Sequence, residues 1–192
     1  MNIIQEICNA ISMTVPSMWL LYLWYHEPLN INAKIIIISS WTHMPISFTY
    51  HMMCGLSLFT DKIDNWMRKL DQSLIHVCCI TSSYALSNSI IYGFVSLIIN
   101  LSCIHKLWIP GIHDISINRR INIVTCIYFY LFPIIMYGNY VNYFKSSMYF
   151  ICAAASLHFN DKLYGWGHSI QHLLYTPYAH HIIMSTKIIR TT

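Results

Sequence analysis

Seven apolar stretches, most of them close to the length of a membrane-crossing helix, follow one another with only short polar breaks between them. A helix rises 1.5 Å per residue and needs about 20 apolar residues, within a range of about 17–25, to cross a hydrocarbon core about 30 Å thick. The stretches cover residues 7–25, 35–53, 70–84, 90–107, 121–137, 141–158 and 163–187. The weakest break is Ser87-Asn88-Ser89, inside 70–107. One helix running unbroken through it would overshoot a bilayer, so the third and fourth spans divide there. The expected fold is an all-α integral membrane protein, a seven-transmembrane helix bundle built as one domain over residues 1–192.

Charge supports the same class. Charged residues make up 9% of the chain and hydrophobic ones 56%, against roughly 25% charged in a soluble domain. So few charges cannot cover the surface of a water-soluble chain of this size. The formal net charge of +4 is spread out, without a basic run or a Gly-rich phosphate loop, and this excludes a nucleic-acid partner. Seven cysteines are present, most within apolar stretches and none in a Cys-x-x-Cys pair. They read as small hydrophobes, with neither a disulfide framework nor a thiolate metal site expected.

The N-terminal stretch does not read as a signal peptide: Glu6 stands where a basic n-region would be, and no small-residue cleavage pattern precedes His26-Glu27-Pro28. With seven spans, Lys62, Arg68, Lys69, Arg119, Arg120 and Lys162 share one face, and Lys34, Lys187 and Arg190 lie toward the other. The positive-inside rule then puts the N-terminus in the cytoplasm and the C-terminus outside. Trp24, Tyr25, Trp66, Trp108 and Tyr164, near span ends, suit an interfacial aromatic belt.

On that topology the polar residues converge. His51 ends the second span, Asp71 begins the third, and His168 and His172 open the seventh, all toward the cytoplasmic face. Ionisable groups in hydrocarbon are expensive, and several at one depth mark a functional site. Residues four apart share a helix face, so His168 and His172 can reach one ion, and Ser47 and His51 bear the same relation. Three imidazoles leave a tetrahedral zinc ion one open position, the pattern of catalytic sites. Zinc can bring the pKa of a bound water to about 7. Asp71 would orient that water or take its proton, and Ser47 would hydrogen-bond the water or a developing oxyanion. By contrast, His43, His76, His105, His113 and His158 read as interhelical hydrogen-bond partners. The pair His180-His181 reads as interfacial, and Asp61, Asp64, Lys62, Arg68 and Lys69 as a solvated loop.

At these residues the chain resembles the progestin and adipoQ receptor/hemolysin III family, within the CREST superfamily that includes alkaline ceramidases. The resemblance rests on Ser47-x-x-x-His51, Arg68-Lys69-Leu70-Asp71-Gln72-Ser73 and Gly167-His168-Ser169-Ile170-Gln171-His172. It extends to Glu6-Ile7-Cys8-Asn9-Ala10-Ile11-Ser12, which is similar to the Glu-x-x-Asn-x-x-Thr/Ser element before the family's first span. Met13 and Gln72 depart from the family pattern, which more often has histidine there. The resemblance implies zinc on His51, His168 and His172 with Ser47 and Asp71 alongside, and hydrolysis of a lipid amide or ester. Membrane lipids and a lipid-like substrate would then be its partners. The alternatives within the same resemblance are a hemolysin III-like permeabilising protein, or a receptor in which the zinc is structural.

Overall fold

The computed structural model describes residues 3–59, 61, 64–109 and 115–187, the side chains of 115–118 excepted. Lys62, His113 and Arg190, which the sequence places among loop charges and packing groups, lie outside the described residues. The described chain is all-helical, with seven helices: α1 (Ile3–His26), α2 (Ile31–Gly55), α3 (Trp66–Ser87), α4 (Ile90–Trp108), α5 (Ile115–Met136), α6 (Tyr140–His158) and α7 (Gly167–Thr186).

Capping side chains explain where these helices begin. Asn30 accepts from the Ala33 N–H at 2.9 Å and Asn65 from the Arg68 N–H at 2.8 Å, each satisfying a donor that the first helical turn leaves without a partner. The break at Ser87-Asn88-Ser89 is real. Asn88 takes a left-handed conformation at φ 49° and ends α3, and the Ser89 side chain caps α4. Asparagine tolerates that region better than most residues. Hydropathy alone sets α3 at 70–84; the caps at Asn65 and Asn88 lengthen it at both ends. At the other extreme, residues 163–166 are trimmed from the seventh stretch, because Tyr164 and Gly165 turn with positive φ before α7 starts.

Three helical segments are long and apolar enough to cross a membrane: Ile3–His26, Ile90–Trp108 and Arg119–Met136. The other four expected spans are more polar, and on α2 and α3 many of the polar residues are turned inward. Asn32, Ser39, His43, Ser47 and His51 are buried on α2, and Asp71, Ser73, His76, Ser82 and Ser83 on α3. Meanwhile Ile90 and Ile91 are each 79% exposed and Phe144 is 77% exposed, whereas Asn9 is 0% and Asn100 1% exposed. Polar inside and large apolar groups outside reverse the usual order of a water-soluble domain.

α1 packs between α2 and α7, α3 packs on α2, α4, α5 and α7, and α6 lies along α7. Alanines with no exposure (Ala10, Ala33, Ala85, Ala153) let backbones approach closely, the packing on which helices rely when lipid removes the hydrophobic drive between them. Hydrogen bonds add to it, such as Ser96 Oγ–H donating to Ser83 Oγ at 2.7 Å between α4 and α3. The connectivity puts the starts of α1, α3, α5 and α7 at one end of the bundle with the finishes of α2, α4 and α6. That end carries the site.

Candidate metal centre

His51, His168 and His172 come together. One ligand atom from each lies within 4.8 Å of the others, a group able to hold a metal ion. The rings face one another at centroid separations of 4.7 Å (His51–His168), 5.5 Å (His51–His172) and 4.6 Å (His168–His172). The helical spacing on α7 delivers two of them, and α2 brings the third against α1 and α7.

The two buried rings are oriented from behind. His172 Nδ1 lies 3.0 Å from the backbone carbonyl of Asn9 and 3.0 Å from Ser12 Oγ. A carbonyl can only accept, so Nδ1 carries the proton and Nε2 keeps its lone pair. His51 Nδ1 lies 3.1 Å from Glu6 Oε2, and donating to that carboxylate likewise frees Nε2. A ring nitrogen anchored to a carboxylate or carbonyl, with the other nitrogen bare, is how metal-binding histidines are fixed in tautomer and orientation.

α1 is therefore part of the site. Glu6, Asn9 and Ser12 fall three residues apart on one helix face and are all buried. Ser169 Oγ–H donates to Asn9 Oδ1 at 2.6 Å, tying α7 to the same face. The sequence carried this element only as part of a resemblance. The missed physical signal was three polar residues at i, i+3 and i+6, which fall on one face of the helix.

Asp71 does not join the histidine ligand group. Its Oδ1 lies 2.9 Å from His43 Nε2, and the Ser47 hydroxyl interacts with the same carboxyl group. His43 is the interhelical partner expected of it, and the residue it holds is the candidate proton carrier. His43, Ser47 and His51 recur every four residues down one buried face of α2. Glu6 and Asp71, 4% and 8% exposed, bring two carboxylates to this end of the bundle, enough to balance a divalent cation on neutral imidazoles. That donor set and charge fit zinc.

Glycine makes the α6–α7 junction possible. A Cβ on Gly167 would come within 2.0 Å of the Ser156 carbonyl oxygen, so α7 can start against the end of α6 only without a side chain there. Gly165 sits at φ +85° against Gln5, whose Nε2–H donates to the Tyr164 carbonyl at 2.7 Å. Both contacts fix where His168 begins its helix.

The remaining histidines lie elsewhere. His76 bonds Asn100 across α3 and α4, His181 lies 3.0 Å from Asn142 of α6, and His180 packs against the Trp19 ring. His105 is exposed in the last turn of α4, and His158 packs on the Phe159 ring. Comparison with family models, with curated proteins and with solved structures gives no match for this chain.

Proposed function

We propose that this is a seven-pass membrane protein of the hemolysin III/progestin and adipoQ receptor type that hydrolyses a lipid amide or ester at one zinc ion. The ligands are His51, His168 and His172. The observation that carries the reading is the mutual approach of three histidine ligand atoms within 4.8 Å, with the His51 and His172 rings each anchored through Nδ1. The polar interior and apolar exterior support seven crossings, including by α2 and α3, whose inner faces are polar. Lys69, Lys106, Arg119 and Lys162 stand at the same end as the site, which supports a cytoplasmic N-terminus and a site near that leaflet.

Zinc bound here would polarise the substrate carbonyl and make water acidic enough to ionise near neutral pH. The chain's own residues do the rest. Asp71, held by His43, takes the proton from the attacking water as its oxygen bonds to the carbonyl carbon. The same proton passes to the leaving nitrogen or oxygen as its bond to that carbon breaks. Ser47, whose hydroxyl is engaged by the Asp71 carboxylate at rest, is released as Asp71 takes the proton and then donates its hydroxyl hydrogen to the oxygen that gains charge. Burial of Ser47 and Asp71 strengthens both interactions and keeps bulk water away.

The test is metal content and turnover together, on detergent-purified protein offered ceramides and other lipid amides. One zinc per chain at the three histidines, with hydrolysis that disappears on chelation and returns with zinc, is the expected result. Asp71→Asn keeps that metal while turnover falls about 10²–10⁴-fold, the usual contribution of general acid–base catalysis. Hydrolysis by fully metal-free protein would overturn the mechanism. Absence of metal after zinc is supplied would reduce His51–Glu6 and His43–Asp71 to two buried hydrogen-bonded pairs.

A further inference from the structure

A second group of soft donors is buried between α3, α4 and α5, and the proposed hydrolase makes no use of it. His76, Cys103 and Cys126 place one ligand atom each within 4.8 Å of one another, and they are 1%, 8% and 1% exposed. Sequence spacing gives no sign of this, because each residue comes from a different helix.

The His76 tautomer follows from its neighbour. Asn100 Nδ2 donates to the Ser96 carbonyl at 2.9 Å and to Ser96 Oγ at 3.1 Å. A carbonyl cannot donate, so the amide nitrogen is fixed on that side and Oδ1 faces His76 Nδ1 at 2.8 Å. Nδ1 therefore donates and Nε2 keeps its lone pair. Asn100 does for His76 what Glu6 does for His51.

We propose that His76, Cys103 and Cys126 form a second, structural metal site for a divalent thiophilic cation of the zinc class. Thiolate and imidazole select such ions over magnesium or calcium, which prefer oxygen. Two thiolates and a neutral imidazole cancel the charge of one divalent cation, so the assembly enters an apolar core without net charge. A monovalent copper ion would leave one negative charge there, which burial penalises. Loading displaces the two thiol protons to solvent. Cys79, three residues beyond His76, lies in the same buried cluster as both thiols, and as a neutral thiol it would complete the shell without adding charge. The metal would pin α3, α4 and α5 together at mid-bundle. This inference is independent of the hydrolase reading.

The test uses full-length protein, reduced, stripped of metal and reloaded with cobalt(II). The three-histidine site has no sulfur, so thiolate-to-cobalt charge transfer in the near ultraviolet reports the second site alone. The expected result is a band that saturates at one equivalent in His51→Ala, where the other site is removed, and is lost in Cys126→Ser. Zinc-loaded wild type should also show a sulfur shell at about 2.3 Å by X-ray absorption, a readout that needs no variant to fold. A cobalt spectrum without the band, a zinc shell without sulfur, or a band unchanged in Cys103→Ser/Cys126→Ser would each overturn the proposal.

Discussion

The two histidine-containing clusters share a device and differ in surroundings. In each, a ring is turned by a buried acceptor on Nδ1: Glu6 behind His51, Asn100 behind His76. The cluster at the bundle end joins α1, α2 and α7, has two carboxylates and a serine close by, and includes a half-buried member in His168. The mid-bundle cluster joins α3, α4 and α5, has cysteines for company and is buried throughout. A site with oxygen groups beside an open position can turn over a substrate, and a closed thiol site can only hold helices together. The same residue type thus takes either role according to what stands next to it.

The sharpest way to break that contrast is His172→Ala. It should abolish metal binding at the bundle end, and turnover with it, while leaving the cobalt–thiolate spectrum intact; loss of both signals would mean that the clusters are not separate. Glu6→Gln comes next. Keeping shape but removing the anchoring charge should weaken zinc binding at the three histidines about 10–100-fold, read by competition with a chelator, with no effect on the mid-bundle site.

Gly167→Ala should have a smaller effect. The added methyl meets the Ser156 carbonyl, and overpacking of this kind costs about 1–3 kcal/mol. The signature is a lower melting temperature in detergent together with weaker metal binding at the bundle end. An unchanged melting temperature would show that α7 is not seated as described.

The smallest effect belongs to the opposite end, which carries neither cluster. Lys187 Nζ lies 2.7 Å from Glu27 Oε2, and this contact holds the Glu27 carboxyl below its ordinary value of 4.5. A depressed carboxyl stabilises the folded state fully above that ordinary value and loses its contribution as pH falls through the depressed one. Glu27→Gln should therefore lower the melting temperature slightly at pH 7 and not at all at a pH where Glu27 is protonated in both states. Because the pair is exposed, salt should erase the difference.

Much of this was legible in the chain. The number and order of the helices follow from apolar length and from the break at Ser87-Asn88-Ser89, because backbone hydrogen bonding and capping are local. The pairing of His168 with His172, and of Ser47 with His51, follows from the helical repeat. The polar faces of α2, α3 and α7 were harder to place. Hydropathy averages around a helix, so a buried polar stripe and an exposed one score alike.

What the chain by itself determined was a set of seven helices and which residues each presents on one face. Only the tertiary structure decided that Glu6 and Asn9 stand behind the histidines, that His43 holds Asp71, and that Cys103 and Cys126 meet His76. Those contacts join residues far apart in the sequence, and helix periodicity fixes positions within an element but not the rotation of one element against another. That rotation is set by where bare backbone and small side chains permit close approach, as at Gly167 and Ala10, and by which buried polar groups find partners across the gap.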